Sequence, residues 1–294
     1  MPPTVAGLSV LKDRLEDVRA ANVAHNQALI EAAADRGAHV VCLGELCTAP
    51  YFAITREPMW IALAEDAREG PSVTAFRATA RARGVVVVAP IFEVDPRSGR
   101  RFNAAAVIDE RGEVLGTYRK THIPEGQNEQ GSFCESFYYQ ASDGEHGEQP
   151  GNIAENPFFP VFRTSRCRLG VAICYDRHFD GVIRSLAAGG AEVVVSPAIT
   201  FGAKSRRMWG HEFDVDAVRH RVFLAGSNRK GSEVPWNQDF FGESRFVGPE
   251  GPVLPLETCP EGLVIADLDL RLLRGADPSG WDLARDRRPD IYSR

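Results

Sequence analysis

The sequence predicts an α/β fold of mixed helical and strand layers, in a single domain over residues 1–294. Three observations carry that reading. Residues 39–44, 85–89, 192–196 and 223–227 are short runs rich in β-branched and apolar residues, the pattern of a strand buried on both faces. Between these runs lie segments with apolar residues three and four positions apart, the spacing of an amphipathic helix. No internal repeat and no linker-like stretch separates one half of the chain from the other.

Taken in order, residues 4–11 read as a first short strand. A helix from about Asp13 presents Leu15, Val18, Leu29 and Ala33 as one apolar face, interrupted by Asn22 and His25, and ends at Gly37. The 39–44 strand delivers Glu45 at its carboxyl end. Pro50, Tyr51 and Phe52 break regular structure, and Gly70-Pro71-Ser72 opens a helix carrying Val73, Phe76 and Ala80 that closes at Gly84. The buried 85–89 strand is followed by a turn at 95–99, a strand at 103–108 and a polar hairpin turn at 109–112. Residues 114–118 lead into Arg119-Lys120. About 40 residues rich in Gly, Glu, Pro and Asn then show no clear period, and loops of that length are usually functional or mobile.

Leu169, Val171 and Ile173 form another buried strand that stops at Cys174, and from Gly181 the residues Val182, Ile183, Leu186 and Ala187 recur at helical spacing. Cys174 therefore sits at a strand-to-helix turn. A side chain there projects from the carboxyl end of a sheet, with backbone amides beside it, which suits a nucleophile. The same position suits a buried structural cysteine. Beyond the 192–196 strand, Met208, Val215, Val218 and Val222 mark a helix leading into the 223–227 strand, and residues 240–247 and 263–268 read as strands joined by a turn at 248–251. The tail from about residue 281 is highly charged around Trp281 and Tyr292. It reads either as a solvated end or as a segment packing across a subunit interface.

Composition narrows the function classes. A hydrophobic content of 44% with 25% charged residues is that of an ordinary globular protein able to bury a large core. The net charge of -6 gives no electrostatic footprint for nucleic acid, and no polybasic run or basic amphipathic helix suggests a membrane surface. No apolar run approaches the ~18 residues of a membrane span and no secretory pattern opens the chain, so a cytoplasmic location is expected. The six cysteines are then expected to be reduced thiols. No Cys-x-x-Cys and no His-x-x-x-His occurs, so no metal site is expected, and the expected partners are small molecules or further copies of the chain.

Gly44-Glu45-Leu46, Tyr118-Arg-Lys120-Thr-His-Ile-Pro124 and Gly170-Val-Ala-Ile-Cys174-Tyr-Asp-Arg177 resemble, in order and wide spacing, the three signature segments of the nitrilase (carbon-nitrogen hydrolase) superfamily. Asn103-Ala-Ala, Glu192-Val-Val-Val-Ser-Pro197 and Phe241-Gly-Glu-Ser-Arg-Phe-Val-Gly-Pro249 match as well, so the resemblance covers nearly the whole chain. It implies a four-layer α-β-β-α sandwich that associates through its α faces into a homodimer or higher homo-oligomer. It also implies a catalytic triad of Glu45, Lys120 and Cys174, with neither metal nor organic cofactor. Glu135, in Cys134-Glu-Ser-Phe-Tyr-Tyr139, matches a second catalytic glutamate that positions the lysine and the substrate.

Cys174-Tyr-Asp-Arg-His-Phe and the closing Trp281-Asp-Leu-Ala-Arg-Asp-Arg-Arg-Pro-Asp-Ile-Tyr292 resemble the β-ureidopropionase and N-carbamoyl amino acid amidohydrolase branches. The implied substrate is an N-carbamoyl acid, N-carbamoyl-β-alanine before N-carbamoyl-α-amino acids, with Arg177 binding its carboxylate and Tyr175 and His122 also contacting it. Another amidase or nitrilase activity, or a catalytically idle assembly relative, are the alternatives. Asp180 stands where the family usually has proline, an Ala-x-Gln pattern is absent from the first segment, and Ser142 to Asn156 reads as an insertion. The implied chemistry splits hydrolysis of a poor electrophile into two easier steps. Glu45 moves the protons, while Lys120 and the Tyr175 backbone N–H stabilise the oxyanion. Lys120 is further expected to favour the thiolate of Cys174.

Overall fold

The computed structural model describes residues 5–253, 257–259 and 262–291. Helix α1 (Val5–Lys12) and helix α2 (Leu15–Asp35) lead into strand β1 (Val40–Cys42), and α3 (Pro71–Arg83) precedes β2 (Val86–Val94), β3 (Arg101–Ile108) and β4 (Val114–Arg119). A small hairpin of β5 (Glu125–Gln127) and β6 (Ser132–Cys134) follows, then β7 (Val161–Arg163), β8 (Arg168–Val171), α4 (Asp180–Ala188), β9 (Val193–Ala198), α5 (Ala203–His220) and β10 (Phe223–Asn228). A second hairpin, β11 (Lys230–Glu233) and β12 (Gln238–Phe241), precedes β13 (Arg245–Gly248) and β14 (Gly251–Pro252). The pair β15 (Glu257–Thr258) and β16 (Val264–Ile265) and the short α6 (Leu283–Asp286) complete the described elements.

Two sheets form the centre, one ordered β1-β2-β3-β4 and the other β14-β13-β10-β9-β8-β7. The period of two along the strands explains how they stack. On β2 and β3, Val86, Val88, Ala105 and Val107 face the second sheet, whereas Val87, Ala89, Ile91, Ala106 and Ile108 face α2 and α3. Both faces of these strands are buried, which is why they read as continuous apolar runs. On the far side, α4 and α5 cover the second sheet through Val182, Ile183, Leu186, Trp209 and Phe213. The layers are therefore α-β-β-α. At β10, Gly226 admits the Trp209 indole, since a Cβ there would lie 2.6 Å from its ring.

Several expected elements differ. Residues 4–11 were expected as a strand, but Val5–Lys12 is helical, and Thr4 lies outside the described residues. Leu8 and Leu11, one helical turn apart, pack with Leu15 against the apolar cluster that holds Phe52 and Trp60, and that periodicity outweighs the β-branched content. The buried face of α2 is Leu15, Arg19, Val23, Asn26, Ile30 and Ala33 rather than one containing Val18 and Leu29. It admits Asn26 because the side chain donates to the Cys47 carbonyl at 2.9 Å. On α5, Val215 and Val218 are exposed, while Trp209, Phe213 and Ala217 turn inward, since two aromatic rings bury more area than two valines. Residues 240–247 do not form one strand. Gly242 and Glu243, at φ 69° and 60°, break it into β12 and β13, which belong to different sheets. The turn at 248–251 joins β13 to β14, and 263–268 contributes only β16.

The insertion at 142–156 runs along the free edge of β4. Gln149 accepts from the Thr117 N–H and donates to its carbonyl, both at 2.9 Å, in the manner of one rung of a further strand. Ser142 N–H donates to the Lys120 carbonyl at 2.9 Å, so the insertion also steadies the chain at the end of β4. Trp281, Leu283 and Ile291 of the tail are exposed, and Tyr292 lies outside the described residues. Among the described residues no helix is long and apolar enough to cross a membrane.

Candidate active site

Strands β8, β9 and β10 run parallel, as do β1 and β2, and the chain leaves β1, β8 and β9 at the same end of the sandwich. Glu45, Cys174 and Ile199 stand just beyond those three carboxyl ends. Lys120 follows β4, and Asn103 lies within β3. Around them, Tyr51, Phe52, Trp60, Tyr138, Tyr139, Phe201 and Trp236 form an aromatic cluster.

The charged centre is dry. Lys120 and Glu45 are 0% exposed and Glu135 is 2% exposed. Lys120 Nζ lies 3.0 Å from Glu45 Oε1 and 2.7 Å from Glu135 Oε2, so one ammonium is shared between two carboxylates. The remaining acceptor sites are satisfied as burial demands. Asn103 Nδ2 donates to Glu45 Oε1 at 2.7 Å, the Ile199 N–H donates to Glu45 Oε2 at 2.6 Å, and the Tyr51 hydroxyl donates to Glu135 Oε1 at 3.0 Å. Burial works against the charge on Lys120, but Glu135 and Glu45 beside it hold its pKa above the ordinary lysine value. Burial raises the pKa of Glu135 in turn, with Lys120 opposing.

Cys174 enters the same cluster through Ile199. Its thiol donates to the Ile199 carbonyl at 3.7 Å, so the peptide units on either side of this one residue hold the Cys174 thiol and the Glu45 carboxylate. The backbone of Cys174 is at φ 48°, in the left-handed region that non-glycine residues rarely adopt. Burial pushes the thiol up to about 12, the charge of Glu45 acts in the same direction, and Lys120 and Arg177 oppose them only in part. Lys120 thus favours the thiolate in direction, as expected, while burial works more strongly the other way.

Asp176 ties the Lys120 segment to the Cys174 turn. Its carboxylate, fully buried, accepts from the Tyr118 hydroxyl at 2.6 Å, from Thr121 Oγ1 at 2.7 Å, and from the N–H groups of His122 and Ile173 at 2.9 and 3.2 Å. His122, expected at the substrate, has Nδ1 2.8 Å from Asp176 Oδ1 and its ring stacked on Phe179, and it remains partly exposed. Tyr175 is half-buried, edge-on to His178 and Phe179.

Arg177 stands differently from the expectation of a group free to grip a carboxylate. It is 4% exposed, and its guanidinium is engaged by the protein: Nη1 donates to the Cys174 carbonyl at 2.6 Å, Nη2 to Thr200 Oγ1 at 3.3 Å, and Nε pairs with Glu212 at 3.2 Å. Neighbouring Asp176 and Asp180, the acids nearest in sequence, are not its partners. Asp176 serves the Lys120 segment, and Asp180 lies 3.6 Å from Arg184.

Sequence reasoning missed Tyr51, Glu212 and the two Ile199 peptide groups. Tyr51 could have been found as a polar ring within an aromatic stretch. Ile199 acts only through its backbone, which no side-chain pattern reveals. A cavity of about 520 Å³ between β1 and the second sheet is lined by Val40, Cys42, Val193 and Val195, and none of the charged centre lines it. Among the described residues no cluster of His, Cys, Asp and Glu could hold a metal ion.

Comparison with known proteins bears on the family and the fold. The β-ureidopropionase of Arabidopsis thaliana is 32% identical over 281 residues, covering 90% of this chain and 64% of the relative's length. The N-carbamoylputrescine amidase of the same plant is 30% identical over 298 residues, covering 97% of this chain and 93% of the relative. The crystal structure of a carbon-nitrogen hydrolase from Helicobacter pylori G27 superposes with a TM-score of 0.76 at 27% identity, over 93% of this chain and 92% of that one. The family model described as carbon-nitrogen hydrolase matches residues 16–277, and the chain belongs to that family.

Proposed function

We propose that this carbon-nitrogen hydrolase cleaves the ureido group of N-carbamoyl amino acids, with N-carbamoyl-β-alanine the first substrate to test, giving the amino acid, ammonia and carbon dioxide. The observation that carries the reading is the convergence of Cys174 and Glu45 on the Ile199 backbone, with Glu45 and Glu135 sharing Lys120. Glu45 takes the thiol proton as sulfur attacks the ureido carbon. The negative charge on oxygen is met by Lys120 and the Tyr175 N–H, and Glu45 returns the proton to the departing amine. Glu45 then deprotonates water, which attacks the thioester-like carbonyl and releases Cys174 as the thiol, and the carbamic acid so formed loses carbon dioxide to free the second amine. Glu135 holds Lys120 toward the oxyanion, and Tyr175 and His122 are proposed to border the substrate. The residues supply nucleophile, base and oxyanion donor without a cofactor.

A second reading, an N-carbamoyl amine as substrate, is favoured by the engagement of Arg177 with Glu212, which leaves the implied carboxylate grip occupied. One relative is itself named N-carbamoylputrescine amidase. Ammonia release from N-carbamoyl-β-alanine, N-carbamoylputrescine and a simple amide, compared as kcat/KM, separates the readings. A homo-oligomer in the cytoplasm is proposed as the working state, its contact supported by the exposed Val215 and Val218 on α5 and the exposed Trp281 and Leu283.

A further inference from the structure

Cys174 is held in a strained backbone conformation at φ 48°, a state that persists only where its surroundings over-determine it. The surroundings are specific. The Cys174 carbonyl accepts from Arg177 Nη1 at 2.6 Å, and the same nitrogen lies 3.9 Å from Cys174 Sγ. An arginine in that position is useful only if its plane is fixed. Three contacts bear on it: Nη2 donates to Thr200 Oγ1, the guanidinium carbon lies 5.1 Å from the centre of the Trp209 ring, and Nε stands 3.2 Å from Glu212 Oε2 as an ion pair without hydrogen-bond alignment. Glu212 is itself held from its other oxygen by His178 Nδ1 at 2.5 Å. It lies on α5, in a different layer from the catalytic strands, and touches none of Glu45, Lys120 or Cys174.

We infer that Glu212 and Arg177 form a positioning pair: Glu212 orients the guanidinium, and the guanidinium clamps the Cys174 carbonyl so that the thiol stays presented beside Glu45. Arg177 on this account serves the nucleophile and not the substrate's carboxylate. The pair also places a fixed positive charge near the sulfur, which assists loss of the thiol proton when the base acts. Trp209 and Glu212, one helical turn apart on α5, give the pair one apolar and one charged wall. The inference rests on Cys174 being the nucleophile of the proposed reaction.

The test uses the full-length protein and two readouts, only one of which needs a substrate. The first is the rate at which iodoacetamide alkylates Cys174, followed by peptide mass spectrometry; the second is kcat and KM for whichever N-carbamoyl compound the wild type hydrolyses. Glu212→Gln keeps the shape and removes the charge, and Arg177→Lys keeps the charge and removes the fork. Each is expected to slow alkylation and to lower kcat by roughly ten- to a hundredfold, the scale of a misplaced reacting group, while KM stays within about threefold. The double variant should be no worse than the more severe single one, because the two residues act as a unit. Wild-type rates in Glu212→Gln overturn the inference. So does a rise in KM confined to carboxylate-bearing substrates with alkylation unchanged, which makes Arg177 a substrate grip. Should either variant fail to fold, Thr200→Val removes another of the guanidinium's contacts, and unchanged alkylation there counts against the clamp. A wild type silent toward every ureido compound fails the proposed function, whereas the alkylation arm still reads the positioning pair.

Discussion

Replacing Glu135 by Gln changes one atom and one charge at the centre of the site, and its consequences can be worked out in advance. Glu135 Oε2 accepts from Lys120 at 2.7 Å and Oε1 from Tyr51 at 3.0 Å. A glutamine can turn its carbonyl to Lys120 and its amide nitrogen to the Tyr51 oxygen, but the buried Tyr51 O–H then loses the acceptor it has in Glu135. The Lys120 contact falls from a charge-assisted to a weaker hydrogen bond, a loss of about 1–2 kcal/mol. Against this, burial has raised the Glu135 pKa, so holding it ionised at neutral pH costs the folded state stability that glutamine does not forfeit. The losses outweigh that gain, and Tm should fall by a few degrees. Turnover should not be spared. Lys120 is left facing Glu45 alone, which draws the ammonium toward the base and away from the oxyanion, and a misdirected donor costs about 10²–10³ in kcat. Steady-state ammonia release alongside scanning calorimetry reads both. Unchanged kcat and KM with an unchanged Tm would make Glu135 a spectator and refute the reasoning.

Cys174→Ala should abolish turnover while the protein still folds, since the lost thiol leaves only a small cavity; Cys42→Ala and Cys167→Ala should remain active, and activity of Cys174→Ala within tenfold of wild type excludes the thiol as nucleophile. Prolonged incubation with EDTA should leave the rate unchanged, and a loss that zinc restores would point to metal-assisted hydrolysis instead. Burial raises Asp216 to about 6, so its ionisation costs folded-state stability in full above that pH and not at all once the carboxyl is protonated in both states, near pH 4 and below. Asp216→Asn should accordingly raise Tm by a few degrees at pH 8, and the advantage should fade as the pH falls from about 6 to 4; an equal Tm at pH 8 contradicts the assignment.

Legibility in the sequence followed what each residue does physically. Strands β2 and β9 were plain because burial on both faces demands an unbroken apolar run, and α3 was plain because Gly70, Pro71 and Gly84 punctuate it, with Gly84 in the left-handed conformation at φ 65°. Glu45, Lys120 and Cys174 could be singled out because each follows an apolar segment, and the family resemblance then joined them. Helix α1 and the face of α5 misled because valine content was weighed above spacing and ring size. The surroundings of Arg177 were illegible for another reason. Its partner Glu212 lies on α5, far along the chain, and no local pattern announces a contact formed only when α5 packs over the Cys174 turn.

The central claim, that Cys174 attacks the ureido carbon, is tested most directly by trapping the intermediate. Wild-type protein mixed with excess N-carbamoyl-β-alanine, and in parallel with N-carbamoylputrescine, is quenched in acid within the first turnovers and its peptides are weighed by mass spectrometry. The account predicts that the peptide carrying Cys174 gains the mass of a carbamoyl group, or of the carbamoylated substrate less ammonia, and that Cys174→Ala shows no adduct. Ammonia released at full rate up to the quench by a protein whose only adduct lies on another residue would contradict it.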